Sequence, residues 1–569
     1  MTPSESEGTE PTHASVTVRP ETGVPPTRAD VWVEFLALSE LAGPIIVMYF
    51  FSIGVAFISQ VLVGHVSSTH LAAAALATMF ANATGLSLVL GCAASCDTLC
   101  SQAFGAGNYA RVGMVAYRGV FVGLVMSLFV GALWLLGAAP FFRAMGQDEA
   151  LIALATEYIK CLLVGLPAQV SFELLKKPFL CANMTAQPLF FSALSMALAG
   201  VMGYAAVYGS GDGFYLGAPL AASLSYWLCL ALLLAYTRWH RGAHRALGAL
   251  LRPCGGGRAA ATAAAADDDD GGAGAAEWGV APWAPEPRCG DAAARRRGSC
   301  GTEAPAAALL PAAAAPAPPP PPPPPPPFHE LLDALWPAPT AAGVLSPPGL
   351  LEYVRMGVPS AAMLFVEWGS YEVLAVFAGL LGQVELASHS ILALTASISF
   401  MPFLGFSVAC CIRVGHALGE LQPRGALLSY RTSLLCALLV FCANGAVMMA
   451  ARRGWGAVFT GDTIVGGVVA DTLPLVALYG LFDGLQCVAT GALRGAALQA
   501  TAAGINLFSY TAVGLPLAFA LAIKAGWGLS GIWAAFNVAV LTSFMLAAAA
   551  LARTNWAEKA ELAHKKALQ

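Results

Sequence analysis

Two carboxyl side chains stand inside long apolar stretches of this sequence. Glu367 lies within Phe-Val-Glu-Trp-Gly (365–369), and Asp483 lies within Leu-Phe-Asp-Gly-Leu-Gln (481–486). An acid in apolar surroundings is costly to ionise, so it can alternate between a protonated form and a charged form that pairs with a cation. A group that alternates in this way is the minimum requirement for exchanging a proton against a cationic molecule. Glu372, more than one helical turn beyond Glu367, is a third candidate.

Each acid also has a purely structural interpretation. Neighbouring hydroxyl groups or Trp368 could satisfy Glu367, and Asp483 could form a hydrogen bond between two helices. Glu372 could face a vestibule at one end of its helix.

Weaker candidates are polar or aromatic residues in the same or other apolar stretches: Asn82, Trp368, Tyr371, His389, Tyr479 and Gln486. The aromatic residues could wall a site for a flat or cationic ligand, or pack as ordinary core. The asparagine could join two helices, and a single histidine on an apolar face is usually a core residue. Cys92, Cys96 and Cys100 recur every four residues, a spacing that favours close helix packing over metal binding, and we expect no metal or other cofactor.

The elements that must position these residues are membrane-spanning helices. Of the 569 residues, 57% are hydrophobic and 11% are charged, against about 25% charged in soluble domains. A span needs about 20 apolar residues. Twelve stretches qualify: 36–62, 70–96, 113–138, 150–175, 188–209, 215–237, 351–381, 385–411, 426–450, 464–491, 500–524 and 529–552. The polar segment 1–33 has no apolar core of a cleaved secretory signal.

The distribution of basic residues predicts the orientation. If both termini are cytoplasmic, most of the 29 Lys and Arg residues fall on the inner side, among them Lys176, Lys177 and Arg494. One missing or extra span would invert part of this pattern. We therefore predict an all-α membrane protein with twelve spans and two cytoplasmic termini.

The two halves of the chain repeat. Pro44 matches Pro359, the segment 103–105 matches 417–419, and 217–218 matches 531–532, each at an offset of 314 or 315. Since six spans per half give both halves the same orientation, we expect pseudo-symmetric lobes around a central cavity, with the axis along the membrane normal. The predicted domains are a disordered tail 1–33, a lobe 34–238, a linker 239–349, a lobe 350–552 and a cytoplasmic tail 553–569.

The predicted linker is rich in Pro, Ala and Gly and includes the unbroken run Pro318–Pro327. Such a composition cannot bury a core, so we predict disorder with a short polyproline II stalk. The stalk is either a docking site for a partner or a plain spacer. Near the linker's end, His329–Trp336 predicts a short amphipathic helix on the inner leaflet.

Several motifs resemble those of the eukaryotic multidrug and toxic compound extrusion (MATE) transporters. They are the segments 82–85 and 96–106, Pro359-Ser360, Glu367-Trp368, 413–419 and 491–495. The resemblance implies two six-helix lobes that exchange organic cations, drugs or secondary metabolites for protons or sodium. It also implies that Glu367 and Asp483 are the essential acids of the second lobe. The acid that prokaryotic members carry in the first span has no counterpart here.

The resemblance predicts a transporter rather than an enzyme, driven by an ion gradient and without a nucleic-acid partner. We expect a monomer in the lipid bilayer that handles small organic substrates, in the plasma or the vacuolar membrane. Sodium coupling and a lipid-linked flippase remain the alternatives; a flippase predicts several Arg residues in the cavity for phosphate. A membrane enzyme would need clusters of His or acids, whereas the nine His are scattered.

Removal of residues 255–325 tests the interpretation of the linker as a spacer. We expect transport per folded molecule to stay within about twofold of the full chain, because such a composition makes no packed contacts. The measurement is substrate uptake into proteoliposomes. A collapse of folded yield or of transport would assign the linker a structural or regulatory role.

Overall fold

The computed structural model of the chain describes residues 27–209, 213–250, 328–336 and 340–569. Every regular element in these ranges is helical. The predictions made for residues 1–26 and for Pro318–Pro327 lie outside the described residues.

The first half contains six membrane spans. Their helices are α1 (Arg28–Gly64), α2 (Ser68–Ala81), α3 (Ser87–Gly105), α4 (Tyr109–Ala144), α5 (Glu149–Cys181), α6 (Ala186–Tyr208) and α7 (Gly217–Leu250). The second span is α2 and α3 joined through a π-helical segment, Asn82–Leu86.

Two short helices precede the second half: α8 (Phe328–Leu335) and α9 (Ala341–Val344). Six more spans follow, built from α10 (Pro347–Leu381), α11 (Gln383–Gly419), α12 (Pro423–Ala451), α13 (Thr463–Gly495), α14 (Gln499–Asn506), α15 (Leu515–Phe519) and α16 (Gly528–Arg553). The eleventh span joins α14 and α15 through the π segment Leu507–Gly514 and ends in a second one, Ala520–Lys524. A 3-10 turn, Gly456–Val458, precedes α13, and α17 (Trp556–Leu568) ends the chain.

The prediction of an all-α protein with twelve spans is confirmed. Several helices extend beyond the apolar stretches: α3 reaches Gly105 instead of residue 96, and α11 reaches Gly419 instead of 411. These extensions are buried between the two halves, where continuing the helix keeps every backbone group hydrogen-bonded. We call the side of the bundle at which α1 begins and α16 ends the termini face.

Both predicted boundaries of the first lobe differ from the structure. α1 begins at Arg28 rather than after residue 33, because Thr27 and Asp30 form a capping box that starts the helix. α7 continues to Leu250, past residue 238, and α8, α9 and the first turn of α10 lie inside the predicted linker 239–349. Helix-forming Ala, Leu and Arg after residue 239 explain the extension of α7.

The end of the linker is packed against the first half. Leu335 and Trp336 are buried, and the Trp336 ring lies 5.7 Å from the Phe179 ring and 5.8 Å from the Tyr117 ring. The predicted amphipathic helix therefore exists, but its apolar side covers protein rather than the inner leaflet. The prediction of disorder up to residue 349 is wrong for this stretch.

Four helix ends at the termini face share one backbone turn. Gly107, Asn183, Leu421 and Ala497 all adopt a left-handed conformation with φ between 57° and 76°. Each follows a span end by two residues, and the second pair lies 314 residues after the first. In each turn two amides bond back to the last helical carbonyls, which is the usual way to end a helix at a left-handed residue. The sequence repeat is thus also a repeat of backbone geometry.

The two halves meet at reciprocal close contacts of glycines. A Cβ at Gly105 would strike the backbone of His416, and one at Gly419 would strike that of Gln102, 314 residues before His416. At the centre, a Cβ at Gly415 would collide with Ser101, its own counterpart in the repeat. This reciprocity places the pseudo-two-fold axis between α3 and α11.

Polar contacts reinforce the same interface. Arg413 donates two hydrogen bonds to the buried carboxylate of Glu34, which also accepts from Ser429 at 2.7 Å. Arg111 pairs with Glu352 at 2.8 Å. In the part of the chain that the structure describes, the hydrogen bonds, ion pairs and ring contacts between the halves all lie in the half of the bundle nearest the termini face. The lobes are therefore closed at that face.

Helix α17 packs across the closed face. The amide of Asn108, in the first half, donates to the Ala567 carbonyl at 2.9 Å, and His564 contacts the Gly419 carbonyl at 2.6 Å. Ala560, Ala563 and Ala567 are buried. The predicted C-terminal tail is thus an ordered helix that touches both halves.

Replacing Gly415 by Val tests the close approach at the axis. The added side chain would overlap Ser101, so we expect the free energy of unfolding to fall by about 1–3 kcal/mol. The control is Gly504→Ala, in α14, where a Cβ meets nothing within 4 Å. Thermal unfolding of purified protein measures both; equal stability of Gly415→Val and the parent would contradict the packing described here.

Candidate functional site

The Glu367 carboxyl group is buried inside the second half and held by one amide. Glu367 lies near the middle of α10 with 8% of its surface exposed, and its Oε2 accepts a hydrogen bond from Asn506 Nδ2 at 3.0 Å. A hydrogen bond to an ionised carboxylate is shorter and stronger than one between neutral groups. The Asn506 donor therefore favours the charged form of Glu367.

The orientation of the Asn506 amide is fixed by other side chains. Its Oδ1 accepts from Gln486 Nε2 at 3.2 Å and from Ser543 Oγ at 3.0 Å, which leaves the Nδ2 group for Glu367. Asn506 is the last residue of α14, directly before the π segment Leu507–Gly514. π segments are common at functional sites because the extra residue re-aims neighbouring side chains. We call Glu367, Asn506, Gln486 and Ser543 the amide network.

Asp483 lies on α13, next to the amide network, without a comparable donor. It is 3% exposed, and within the described ranges its Oδ1 has no hydrogen-bond partner. Its carboxyl group interacts electrostatically with that of Glu367. The hydrogen bond between helices that would make Asp483 purely structural is therefore not seen at this oxygen. Two like charges in one confined site oppose each other's ionisation.

One face of α13 carries a continuous polar stripe. Tyr479, Asp483, Gln486, Thr490 and Arg494 follow at spacings of four, three, four and four residues, which places them in one row along the helix. Gln486 donates to Thr490 Oγ1 at 3.3 Å. The stripe runs from the acids to the end of α13 at the termini face.

Aromatic side chains close the site on the side away from the termini face. The hydroxyl groups of Tyr371 and Tyr479 contact each other, and each tyrosine lies one helical turn from an acid on its own helix. The ring of Phe536 lies 5.2 Å from Tyr371 and 5.6 Å from Tyr510. These rings form a wall over both carboxyl groups.

His389 reaches this wall only indirectly. It is 3% exposed, and its ring lies 5.8 Å from that of Trp533, which in turn lies 5.7 Å from Tyr479. Within the described ranges His389 Nδ1 has no hydrogen-bond partner. His389 is thus a core residue behind the aromatic wall rather than a neighbour of the acids.

Three other predicted site residues lie outside the amide network. Glu372, Trp368 and Asn82 are half-buried, and in the described part of the chain no hydrogen bond joins their side chains to it. Asn82 begins the π segment of the second span, which contacts α10. The structure therefore brings together Glu367, Asp483, Gln486 and Tyr371.

Sequence reasoning missed several residues of the site. Asn506 is central to the amide network, and Ser543, Tyr510 and Phe536 complete its surroundings. An asparagine in the middle of an apolar span is a signal comparable to Asn82. The regular spacing of polar residues along α13 is a second signal that the sequence offered.

Basic residues counted at the inner surface lie inside the protein instead. Lys176 is 5% exposed and pairs with Glu173, and Lys177 is 7% exposed and pairs with Asp97 at 2.9 Å. Arg494 is 7% exposed and donates to Ser407 Oγ at 3.0 Å. Lys176 and Lys177 are buried inside the first half, and the end of α13 carries Arg494 into the contact between the lobes.

The described residues contain no group of three or more His, Cys, Asp or Glu side chains placed to hold a metal ion. Cys96 and Cys100 lie 3.4 Å apart at Sγ, buried within the packed face of α3. An apolar cavity of about 300 Å³ between α12 and α13, lined by Phe441, Met449 and Leu478 among others, lies apart from the acids. The candidate site is therefore the interior of the second half and not this cavity.

Comparisons with known proteins point to one family. The sequence model of the MatE family matches residues 44–205 and again 359–520, two stretches 315 residues apart. The chain is 27% identical over 525 residues to Protein DETOXIFICATION 16 of Arabidopsis thaliana, covering 92% of this chain and 89% of that protein. It is 27% identical over 523 residues to human Multidrug and toxin extrusion protein 1, covering 92% of this chain and 75% of that protein.

Solved structures share the fold. The eukaryotic MATE transporter AtDTX14 superposes with a TM-score of 0.75 at 23% identity, over 94% of this chain and 99% of that one. The Vibrio cholerae MATE transporter VcmN in its bent form gives 0.66 at 13% identity, over 95% of this chain and 98% of that one. At these identities the superpositions establish the architecture and not the site.

Replacing Asn506 by Ala tests the amide network. Glu367, Gln486 and Ser543 would all lose a partner, so we expect the free energy of unfolding to fall by about 1–3 kcal/mol. Thr542→Ala is the matched control, because that exposed hydroxyl bonds only to its own helix. Thermal unfolding compares the two variants, and an Asn506→Ala protein as stable as Thr542→Ala would refute the network.

Proposed function

Since this chain belongs to the MatE family, whose members are membrane transporters, we propose that it exports small organic cations, drugs or secondary metabolites in exchange for protons. The observation that carries the proposal is the burial of Glu367 in the second lobe beside Asp483, with one amide donor as its partner. The energy source is a proton gradient, and no cofactor is needed. The relatives named for multidrug and toxin extrusion support the substrate class.

The proposed orientation puts both termini in the cytoplasm. The termini face, where the lobes are closed, is then the inner face, and the aromatic wall separates the two acids from the outer side. This arrangement agrees with the bias of Lys and Arg toward the inner side. A monomer in the plasma or the vacuolar membrane satisfies the proposal, and either membrane provides an acidic outer compartment.

The proposed cycle follows from the two charge states of the site. With Glu367 ionised, the second lobe attracts a cationic substrate, and the rings of Tyr371, Tyr479 and Phe536 offer π faces to it. A proton that enters from the acidic side neutralises Glu367 and weakens the hold on the substrate. Release of this proton to the cytoplasm restores the charge. Over one cycle the Glu367 carboxyl group gains one proton, which forms an O–H bond, and loses it again, which breaks that bond, while the covalent bonds of the substrate stay unchanged.

The hydrogen-bond partner of Glu367 supports a proton rather than sodium as the coupling ion. Sodium is coordinated by several oxygen atoms, as hard cations generally are. The nearest described partner of the Glu367 carboxylate is an N–H donor, since the Asn506 oxygen is already taken by Gln486 and Ser543. A donor hydrogen aimed at Oε2 opposes a metal cation that needs both carboxylate oxygens, whereas a single proton can still bind the other oxygen, Oε1.

Two alternatives remain as outcomes of the tests. Sodium coupling would need the amide network to rearrange so that oxygen atoms face the carboxylate. A lipid-linked flippase would use several arginines for phosphate, whereas Arg494 is the arginine that the structure buries nearest to this site. Uptake of a panel of labelled cations and lipids into proteoliposomes distinguishes the substrate classes.

Replacing Glu367 by Gln tests the proposal at its centre. The amide mimics the protonated acid permanently, so proton-driven exchange should fall by about 100-fold or more while the protein still folds. Asp483→Asn should reduce exchange less, because Asp483 has no fixed donor. Glu157→Gln is the control, since Glu157 forms an exposed pair with Lys160, and it should be nearly silent. Near-normal proton-driven exchange by the folded Glu367→Gln variant would contradict the proposed role of Glu367.

The driving ion is tested in sealed vesicles. An inward proton gradient should accelerate exchange when sodium is absent, and an inward sodium gradient at equal pH should not. The measurement is the initial rate of substrate movement under each gradient. Strict dependence on sodium would replace the proton in the proposal and would contradict the argument from the Asn506 donor.

A further inference from the structure

Helix α17 lies across the contact between the two lobes. On the side of the second lobe, His564 Nδ1 lies 2.6 Å from the carbonyl oxygen of Gly419. On the side of the first lobe, Asn108 Nδ2 donates a hydrogen bond to the carbonyl oxygen of Ala567 at 2.9 Å. Asn108 comes three residues after Gly105, the counterpart of Gly419 in the repeat, and both glycines pack against the backbone of the other lobe. α17 is therefore attached on both sides of a close backbone contact.

The attachment of α17 to the second lobe is broad. Thr554 and Asn555 alone connect α16 to α17, and the Asn555 side chain caps the new helix. Ala560 and Ala563 are buried in a hydrophobic cluster of the second lobe that also contains Leu418 of α11. Because apolar side chains in this cluster would meet water if α17 left it, the helix is expected to move together with the second lobe.

The attachment to the first lobe is narrow. Ala567 lies in the last turn of α17, where the carbonyl groups of a helix have no partner within the helix. Asn108 donates to one of these carbonyl groups, and water can replace that donor when the turn is exposed. If the lobes separate at the termini face, the contact of α17 with the first lobe is therefore the one that breaks.

The Asn108 side chain is held in place by a second hydrogen bond. Its Oδ1 accepts from the Arg111 backbone N–H at 3.1 Å and so caps the start of α4. The cap leaves the Nδ2 group free to donate to α17. A serine at this position would also cap α4, but its shorter side chain would not reach Ala567.

We propose that α17 is a strap that holds the lobes closed at the termini face, and that its last turn must leave Asn108 each time the lobes separate there. The helix stays on the second lobe during this movement, and the bond from Asn108 to Ala567 breaks and re-forms once in each transport cycle. The strap thereby favours the state that is closed at the termini face. This inference rests on the proposed exchange, in which the lobes open to one side of the membrane at a time.

The strap acts at a distance from the candidate site. α17 lies at the termini face, whereas Glu367 lies near the middle of α10. Loss of the strap should therefore change how often the lobes open and leave the amide network unchanged. A purely structural role of α17 predicts something else, namely lower stability without a shift between the closed and the open state.

Cross-linking tests whether the last turn has to leave the first lobe. Ala110, exposed two residues after Asn108, and Leu568, exposed in the last turn of α17, are replaced by Cys in a background whose reactive cysteines are Ser. A short thiol-specific linker that a reductant can cleave then joins the two cysteines of the full chain in proteoliposomes. Proton-driven exchange should fall by about tenfold or more and return after cleavage.

The matched control joins α17 to the second lobe instead. Cysteines replace Lys565 and Glu420, the residues that follow His564 and Gly419 in the sequence. Because α17 moves with that lobe, this linker should leave exchange within about twofold of the unlinked protein. Normal exchange with the linker to the first lobe would overturn the proposal, and so would an equal loss with either linker.

The distance between the lobes tests the strap without a linker. Spin labels are placed on cysteines at Ala186 and Ala500, exposed residues 314 apart in the first turns of α6 and α14 at the termini face. Pulsed electron resonance then gives distance distributions for the full chain in nanodiscs. In Asn108→Ser the fraction with the longer distance should rise by about twofold to tenfold, which is the effect of losing one hydrogen bond.

Two further proteins separate the strap from stability. Asn555→Ser makes the same replacement at the cap of α17 itself and should match the parent. A chain that ends at Lys565 lacks Ala567 but keeps Ala560 and Ala563, and it should show the same shift as Asn108→Ser. Thermal unfolding confirms that each variant is folded.

The proposed antiport and the strap can fail separately. An unchanged distance distribution in folded Asn108→Ser would refute the strap, whether or not protons drive exchange. Normal proton-driven exchange by Glu367→Gln would refute the antiport, while the distances would still report on the strap. A longer distance in Asn108→Ser, together with a reversible loss of exchange when α17 is linked to the first lobe, supports the inference.

Discussion

A carboxylate that must become charged inside a helical bundle depends on the protein for every group that stabilises it. Among the described residues the hydrogen-bond donor to Glu367 is the Nδ2 of Asn506, and the oxygen of that same amide accepts hydrogen bonds from Gln486 and Ser543. α10, α13, α14 and α16 each supply one member of this network, so the packing of four helices is required to aim one hydrogen bond. The ionisation of Glu367 therefore depends on the relative positions of those four helices.

The interface between the lobes obeys a different constraint, which is symmetry. The repeat of 314 residues places Gly105 against His416 and Gly419 against Gln102, with Ser101 and Gly415 together at the axis. The acids break that symmetry, because Glu367 and Asp483 have no carboxylate counterparts in the first half. The first half instead contributes the buried pair of Asp97 and Lys177. The acids that we propose to exchange a proton therefore lie in one lobe of a pair whose contact surface is otherwise symmetric.

Much of the fold was readable from the sequence. Lipid requires long apolar helices, so the twelve spans and the repeat follow from composition and spacing. The ends of the helices could not be predicted from the sequence, because α3 and α11 continue past their apolar stretches into an interface that only the folded lobes create. For the same reason Arg494 looked like a surface charge. Lys177 also looked like one, because its pairing with Asp97 inside the first lobe is not visible in the sequence.

The candidate site was predictable only in part. The cost of burying an acid singles out Glu367 and Asp483 from sequence alone. Asn506 could not be chosen over Asn82, since the choice depends on which amide stands opposite the carboxyl group. The role of Gln486 likewise depends on the partner that α14 brings to it. The spacing of three and four residues between polar side chains along α13 was visible in the sequence. The sequence does not show, however, that this face of α13 points into the second lobe or that the end of α13 contacts the first lobe.

The central claim is that one carboxyl group, Glu367, exchanges its proton for the substrate. The most direct measurement is the release of protons when a cationic substrate is added to purified protein in a weakly buffered solution. The account predicts release of roughly one proton per bound substrate from the parent at mildly acidic pH, and none from Glu367→Gln. Equal proton release by parent and variant, or substrate binding by the parent without any release, would contradict it.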